Sequence, residues 1–438
     1  MAAPVILAPN LTTPTTGAGT TPRYASALSA LTVLFFAFGF ITCLNDILIP
    51  YLKAIFQLSY AKANLINLCF FGAYFVMGIP AGKLVSRLGY KGGMRLGFVV
   101  AAAGCFLFYP AADSHSYVLF LAALFVLATG VVLLQVAGNP YVAVLGPAES
   151  APARLTLTQA FNSLGTTVAP LLGAAFILSH LPDLDAARAA EAIDVRAVQV
   201  PYLCIGGVLL LISGLLRFVK LPAVAPAPDP TDDESRRAWH YRHLVLGMVG
   251  IFVYVGAEVA IGSHIVSYLG QPDVLNMAPK LAGEKIAIYW GGAMVGRFLG
   301  AWLLNKFRPG RLLAFNGVGA LLLVLLAAVA TGPLAMWSLL AVGLMNSIMF
   351  ATIFTLAVAG LGRHTEAASG LLNVAIVGGA VIPPLFGLVA DVASLRLALL
   401  LPVLCYAYIV WYGLRGHVRA GAIPRGGTMA GTSAPAFA

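Results

Sequence analysis

The chain has 438 residues, of which 60% are hydrophobic and only 10% are charged, and its formal net charge is +10. A mean hydropathy of +0.91, with apolar runs of about 20 residues along the whole length, indicates a polytopic helical membrane protein. This composition leaves no room for a sizeable soluble domain, and it therefore argues against an enzyme head.

Hydropathy predicts twelve membrane-spanning helices, so the expected fold class is an all-α membrane protein. In chain order the predicted helices cover residues 26–49, 63–84, 94–111, 117–145, 155–178, 202–218, 244–269, 286–304, 312–330, 334–361, 368–390 and 395–414. The five cysteines all lie in apolar runs without metal-ligand spacing, and we expect them to be packing residues rather than disulfides or ligands.

The positive charges follow the loops of this predicted topology. If both termini are cytoplasmic, the inner segments and adjoining helix ends hold 19 of the 26 Lys and Arg residues, and the outer segments hold the other 7. This asymmetry agrees with the positive-inside rule and predicts a multi-pass protein of the inner, cytoplasmic membrane with both termini inside. It explains the basic balance without a nucleic-acid partner, and nothing in the sequence implies a protein partner.

Near its end, the first predicted helix carries an Asn-Asp pair, Asn45 and Asp46. A charged side chain within a membrane helix costs about 2.5 to 3.5 kcal/mol on insertion scales, so it is usually retained for a function. Because burial favours the neutral carboxyl, Asp46 is predicted to bind a proton and to release it when water enters from the other side. The alternative is structural, since Asp46 could cap the outer helix end in interfacial water.

Two internal repeats indicate a duplicated chain. The segment GKLVSRLGYKGGMR, from Gly82, resembles AWLLNKFRPGRLL, from Ala301, at an offset of 219 residues. A second pair, GTTVAPLLG from Gly165 and GAVIPPLFG from Gly379, is offset by 214 residues. Offsets of half the chain predict two six-helix bundles, as in many transporters. The predicted units are an N-terminal tail (1–25), a first bundle (26–218), a linker (219–243), a second bundle (244–414) and a C-terminal tail (415–438).

Both halves and their loops resemble the major facilitator superfamily over essentially the whole chain. In that superfamily the loop after the second helix reads Gly, three residues, Asp, Arg, any residue, Gly and two basic residues. This gating-loop pattern is matched here by Gly82, Arg87, Gly89 and Lys91. Ser86 replaces the Asp, and Tyr90 replaces one of the basic residues. The resemblance implies two pseudo-symmetric six-helix bundles, while the missing Asp puts the usual charge-pair latch in doubt, so that gating would rest on other contacts.

Four segments look more specifically like the fucose, glucose and galactose proton symporters of the glucose/galactose transporter type. They are FGFITCLNDILIPYLK, CFFGAYFVMGIPAGKL, LQVAGNPYVAVLGP and LTLTQAFNSLGTTVAPLLGA. The resemblance implies proton-coupled import of a small neutral sugar by alternating access, with Asn45 and Asp46 in substrate handling and protonation. The fucose member has a second acid on its fourth helix, where this chain has Gln135, which can hydrogen-bond a hydroxyl but cannot titrate.

Glu258, deep in the seventh predicted helix, offers a replacement acid, because that helix is the counterpart of the first in the other half. It is therefore predicted as a second proton site, although packing against a polar neighbour would also explain it. A sugar needs several donors and acceptors in a mostly apolar pocket, and membrane amides supply them. The predicted sugar ligands on these grounds, with joining of helices as the alternative, are Gln135, Asn139, Gln159, Asn162, Asn346 and Asn373.

Three side chains of the eighth predicted helix complete the candidates. Tyr289 and Trp290 offer a stacking surface for the sugar, or an anchor at the membrane interface. Arg297 lies partway along the same helix, where it is costly unless paired, and we expect it to snorkel toward the inner surface.

Several alternatives remain open from the sequence. The solute could be fucose, another hexose or an amino sugar, and sodium could replace the proton as coupling ion. A nutrient receptor with the same fold would bind sugar without accumulating it. An enzyme is disfavoured because no metal or nucleophile constellation is present, and no cofactor is implied.

Overall fold

The computed structural model describes residues 27–41, 60–176, 199–219, 221–222 and 238–418. Within these ranges every regular element is a helix. The predicted pair Asn45 and Asp46 lies outside the described residues, as do Cys43, residues 1–26, most of the linker and residues 419–438.

The described part of the chain has a helix for each of the twelve predicted spans, so the predicted all-α fold class is confirmed. The first six are α1 (Ala27–Ile41), α2 and α3 (the parts of Tyr60–Asp113 before and after Gly89), α4 (Tyr117–Val144), α5 (Ala151–Phe176) and α6 (Gln199–Leu215). The second six are α7 (Arg242–Leu269), α8 (Pro279–Leu303), α9 (Pro309–Val329), α10 (Gly332–Val358), α11 (Gly362–Val392) and α12 (Leu395–Gly416).

The length and apolar composition of these helices suit a membrane. Among the described residues, eight helices are long and apolar enough to cross one, with the joined pair α2 and α3 counted once. Two shorter apolar helices are α1 and α6. By contrast, α5 carries a run of buried polar side chains, including Thr158, Gln159 and Ser163. Polar groups inside a membrane helix usually face other helices or a cavity, which is where α5 places them.

Local sequence signals set several helix ends. Ser116 begins α4, because its side chain accepts a hydrogen bond from the backbone N–H of Leu119 at 3.4 Å. Proline occupies the first helical turn of α8, α9 and α10, where its missing N–H costs nothing. Between α2 and α3, Gly89 has φ 71° and ψ 168°, a conformation that favours glycine and that separates two spans within one continuous segment.

Two helices of the second half are interrupted in their middles. In α10 the helix Gly332–Asn346 is followed by Met349–Val358, and in α11 Thr365–Ala375 is followed by Gly378–Val392. The predicted spans 334–361 and 368–390 were continuous, so these interruptions are additions to the prediction. At both interruptions the chain makes tighter i to i+3 turns, with the Ser347 amide bonded to the Leu344 carbonyl and the Ile376 amide bonded to the Asn373 carbonyl.

The two halves of the chain meet closely where α2 crosses α11. A Cβ atom added to Gly370 would lie 2.6 Å from the carbonyl oxygen of Gly78, and one added to Gly78 would lie 2.8 Å from the carbonyl oxygen of Gly370. Gly82 lies on the same contact, where an added Cβ would be 3.1 Å from the carbonyl oxygen of Glu366. The missing side chains therefore let the two backbones approach, as small residues do in membrane helix pairs. We call this contact the α2–α11 seam.

The predicted gating-loop residues occupy different environments. Gly82 is buried in the α2–α11 seam, whereas Arg87 is exposed. The Lys91 ammonium donates to the carbonyl oxygens of Arg217 at 3.0 Å and Val219 at 2.8 Å, so it binds the end of α6 within the first half. Tyr90, in place of a basic residue, lies beside Glu366 of α11. At this loop, the aromatic side chain of Tyr90 thus contacts the second half of the chain. The gating role of the loop stays a prediction.

The described cysteines are free thiols. Cys105 and Cys405 are buried in the apolar core, Cys69 is partly buried and Cys204 is exposed. Cys105 and Cys405 thus pack in the core, as predicted, whereas Cys204 lies on the protein surface.

Candidate functional site

A cavity of about 220 Å³ lies between the two halves of the chain. Helices α1, α2, α4 and α5 line it from the first half, and α7, α8, α10 and α11 line it from the second. Ser347 and Ile376, which line it too, are the residues at which α10 and α11 are interrupted. Interrupted helices at a central cavity are typical of transporter binding sites.

Three of the predicted amides lie on the wall of this cavity. Gln135 donates from Nε2 to the hydroxyl oxygen of Tyr74 at 2.8 Å, and Asn162 donates from Nδ2 to the carbonyl oxygen of Phe35 at 3.1 Å. Gln159 donates from Nε2 to Oδ1 of Asn139 at 3.3 Å. Within the described residues, the amide oxygens of these three wall residues accept no protein hydrogen bond. They can therefore accept hydrogen bonds from a solute in the cavity.

Asn139 lies behind the cavity wall. It is fully buried, and its side chain positions Gln159 rather than facing the cavity. Its Nδ2 atom has no protein hydrogen-bond partner among the described residues. The predicted pair on one helix face is thus split, because Gln135 lines the cavity and Asn139, one turn later, supports a neighbour on α5.

Glu258 lines the cavity from α7. Its Oε1 atom accepts a hydrogen bond from the Tyr254 hydroxyl at 2.7 Å, and its backbone carbonyl accepts one from the Tyr289 hydroxyl at 3.2 Å. Among the described residues, the Tyr254 hydroxyl is the one donor to this carboxyl, which also faces the cavity. A group held in this way can exchange a proton with water that enters the cavity.

Asn346 connects the helices that surround Glu258. Its Nδ2 donates to the Tyr289 hydroxyl at 2.9 Å, and its Oδ1 accepts from the Tyr406 hydroxyl at 2.9 Å. Its backbone carbonyl accepts from the Tyr254 hydroxyl at 3.2 Å. Asn346 and Tyr289 are both fully buried, and neither lines the cavity. In this conformation they fix α7, α8, α10 and α12 around the carboxyl, so a solute in the cavity would not touch them.

Trp290 and Asn373 also lie off the cavity wall. Trp290 is 42% exposed and packs edge-on against Tyr289, with ring centroids 5.1 Å apart. Asn373 is 1% exposed, and its Nδ2 donates to the carbonyl oxygen of Ser369 at 2.9 Å. Ser369 in turn donates from Oγ to the carbonyl oxygen of Val136 at 3.1 Å, so this part of α11 contacts α4 of the other half.

The predicted snorkelling of Arg297 is wrong. Its side chain lines the cavity from α8, and Nη1 donates across the halves to the Ser163 hydroxyl and, at 3.5 Å, to the backbone carbonyl of Gln159. The physical reason is the packing of α8 against α5, which supplies acceptors to the guanidinium within the bundle. Hydropathy cannot show which neighbouring helix a side chain faces.

Aromatic residues of the wall were not predicted. Phe38, Phe70, Tyr74 and Phe350 line the cavity with apolar rings, and Tyr254 adds a hydroxyl beside Glu258. One sequence signal was available, since Phe70 and Tyr74 are four residues apart on α2 and therefore share a helix face. No group of three or more His, Cys, Asp or Glu residues that could hold a metal ion occurs within the described residues.

Comparison with known proteins gives the family. The family model described as Major Facilitator Superfamily matches residues 30–384. The glucose/galactose transporter of Brucella abortus biovar 1 (strain 9-941) is 53% identical over 395 residues, which cover 90% of this chain and 95% of that protein. The L-fucose-proton symporter of Escherichia coli (strain K12) is 35% identical over 415 residues, which cover 90% of this chain and 93% of that protein.

A solved structure has the same architecture. The crystal structure of FucP, a major facilitator superfamily transporter in the outward conformation, superposes with a TM-score of 0.83 at 33% identity, covering 91% of this chain and 100% of that chain. The predicted transporter class, rather than an enzyme, is confirmed by these relatives. The chain is a multi-pass membrane protein with the expected twelve-helix fold, and it belongs to the major facilitator superfamily.

Proposed function

We propose that the chain imports a neutral hexose of the glucose or galactose kind together with protons, by alternating access of the central cavity to the two sides of the membrane. The observation that carries the proposal is the joint placement of Glu258 and three amides on the wall of one cavity between the halves. Relatives named as a glucose/galactose transporter and as an L-fucose-proton symporter support the same solute class and coupling ion.

The chemistry of the wall suits a neutral sugar. Amide oxygens of Gln135, Gln159 and Asn162 accept hydrogen bonds from hydroxyls, while the rings of Phe38 and Phe350 cover the apolar faces of a hexose. Among the described wall residues, the acid Glu258 and the guanidinium of Arg297 carry opposite charges when both are ionised. With Glu258 ionised, the described part of the wall carries no excess charge of either sign that would attract an ionic solute.

Coupling follows from the changing access of water to Glu258. In a cavity shielded from water the neutral carboxyl is favoured, and in a wetted cavity the ionised form is favoured. Alternating access converts this difference into proton uptake on one side and release on the other. Asp46 remains a predicted second proton site, and Asn45 a predicted sugar ligand, because both lie outside the described residues.

Orientation completes the proposal. We place the protein in the inner membrane with both termini in the cytoplasm, because most Lys and Arg residues then lie on the cytoplasmic side. The α2–α11 seam is next to the basic loop after α2, so the cytoplasmic end is the closed end in this conformation. The likeness to a transporter in the outward conformation supports the same assignment.

A transport assay with Glu258→Gln tests the proposal. Proteoliposomes with an imposed pH gradient should accumulate labelled galactose or glucose through the unmodified protein, whereas the variant should lose accumulation and keep sugar counterflow. An amide can occupy the site of the neutral carboxyl but cannot release a proton, which is the reason for this split.

Glu149→Gln is the matched control, because Glu149 is an exposed carboxylate between α4 and α5. It should accumulate sugar as the unmodified protein does. Full accumulation by Glu258→Gln under a pH gradient would rule out Glu258 as a proton site. If a sodium gradient alone drove accumulation, sodium rather than the proton would be the coupling ion. Competition by unlabelled fucose and amino sugars identifies the preferred solute.

A further inference from the structure

Arg297 is a cation in the centre of the bundle whose acceptors are neutral. Its Nη1 donates to the Ser163 hydroxyl and to the backbone carbonyl of Gln159, both on α5 of the opposite half. Among the described residues, no carboxylate lies within 4.0 Å of its guanidinium. Since an isolated charge at this depth is costly, the contact across the halves stabilises a particular closed arrangement of α5 against α8. We call this contact the α5–α8 latch.

The same cavity holds a competing partner for Arg297. The Glu258 carboxyl lines the cavity together with the guanidinium. An ionised carboxylate attracts a guanidinium strongly in a site with little water, and it can accept two parallel N–H bonds. A neutral carboxyl does neither. The titratable groups that face Glu258 from the described helices are Tyr254 on α7, Arg297 and Tyr289 on α8, and Tyr406 on α12. Arg297 is the cation of this set.

We propose that Arg297 prevents proton leak by latching α5 to α8 whenever Glu258 is protonated and no sugar is bound. This inference rests on the proposed function, because it concerns how the proton and the sugar are coupled. Arg297 thereby positions α5 against α8 during the transport cycle. The sequence predicted only that Arg297 would snorkel toward the inner surface.

The proposed role follows from three alternative sets of acceptors. When Glu258 is protonated and the cavity is empty, Arg297 bonds Ser163 and Gln159, and the two halves stay together between α5 and α8. When Glu258 is ionised, its carboxylate draws the guanidinium away, the latch opens and the empty carrier can return. When sugar is bound beside Glu258, its hydroxyl oxygens accept from Arg297, and the loaded carrier can change conformation. A proton therefore crosses only in the company of sugar.

The decisive measurement is proton entry without sugar. Proteoliposomes that contain a pH-sensitive dye and the Ser163→Ala variant should lose an imposed pH gradient roughly tenfold faster than those with the unmodified protein, because a hydrogen bond to a charged group is removed from the latch. Sugar counterflow should persist. The Arg297→Gln variant removes the cation itself, so its proteoliposomes should also leak protons. The test then does not depend on the folding of one variant.

Thr167→Ala is the matched control. Thr167 is one turn after Ser163 on α5 and contacts the Met294 sulfur of α8 at 3.6 Å, so it lies between the same helices without touching Arg297. This variant should show the leak of the unmodified protein. A leak equal to that of Ser163→Ala would overturn the inference, since any loosening of α5 against α8 would then suffice.

The outcomes also separate the two proposals. Unchanged leak in Ser163→Ala and Arg297→Gln, with counterflow intact in Ser163→Ala and with sugar-dependent proton entry through the unmodified protein, overturns the latch alone. Absence of sugar-dependent proton entry through the unmodified protein overturns proton coupling itself, and the latch with it. Fast leak in both variants, and none in the control, supports the latch.

Discussion

Individual polar side chains in this bundle serve either the cavity or its support, and the distinction depends on a single helix turn. Gln135 faces the cavity, whereas Asn139 is buried behind it. Asn346 is equally polar, yet both ends of its amide are bonded by tyrosine hydroxyls. A buried polar group left without its partners is expensive, so these supporting amides fix the geometry around Glu258.

At this scale we predict that Gln159→Ala weakens sugar binding about two- to twelvefold, because one neutral hydrogen bond contributes about 0.5 to 1.5 kcal/mol. The measurement is the half-saturation concentration for counterflow. Gln199→Ala is the control, since Gln199 is also a buried amide but donates to the carbonyl oxygen of Tyr109 away from the cavity. Equal weakening by the two variants would contradict a sugar contact at Gln159.

Part of the cavity wall could be predicted from the sequence. It singled out Gln135, Gln159, Asn162 and Glu258, because a polar group in an apolar helix is costly and needs an explanation. It could not tell a wall residue from a supporting one, because both satisfy the same energetic requirement. Arg297 was misjudged for a related reason. Whether a long cation faces the membrane surface or a cavity is decided by the helix packed beside it.

Whole elements were better predicted than side chains. Each predicted span has a helix in the described residues, since an apolar run of about 20 residues must satisfy its backbone hydrogen bonds internally. The interruptions of α10 and α11 were missed, because hydropathy is unchanged across residues 347–348 and 376–377. The closeness of the α2–α11 seam was also hidden, since glycine is common in membrane helices whatever it contacts.

The α2–α11 seam gives a prediction at the scale of helices. Gly370→Ala should lower the melting temperature in detergent and slow sugar uptake, because the new methyl group would meet the carbonyl oxygen of Gly78 at 2.6 Å. Overpacking of this kind typically costs about 1 to 3 kcal/mol.

Gly207→Ala on α6 is the control for this prediction, because nothing lies within 4 Å of the position of its Cβ. It should be neutral or slightly stabilising, since alanine favours helix by about 1 kcal/mol. If both alanine variants melted at the same temperature, close backbone approach would not be what glycine provides at the seam.

For the whole molecule, the charge distribution and the helix packing support the proposed orientation. The basic loop after α2 and the α2–α11 seam lie at the same end of the bundle, and from the positive-inside rule we propose that this end faces the cytoplasm. The division into two bundles at the linker remains a prediction from the repeats.

Orientation can be tested with two single cysteines in a cysteine-free background. Ser114→Cys, between α3 and α4, should react with a membrane-impermeant maleimide in intact cells, whereas Ser86→Cys, near the end of α2, should react only after the membrane is opened. Both serines are exposed, so access of the reagent is matched. The reverse labelling pattern would invert the proposed topology and would assign the closed end to the outside.

The stops within α10 and α11 have an implication for how specificity changes among related carriers. The chain crosses these stops in tighter turns, in which the Ser347 amide bonds the Leu344 carbonyl and the Ile376 amide bonds the Asn373 carbonyl. The backbone that borders the cavity at Ser347 and Ile376 therefore keeps its own hydrogen bonds whatever side chains the chain acquires. These turns can therefore hold the two helices in place whichever monosaccharide the cavity binds. Substitutions in the surrounding amides and rings can then exchange one monosaccharide for another while the carrier keeps working throughout its divergence.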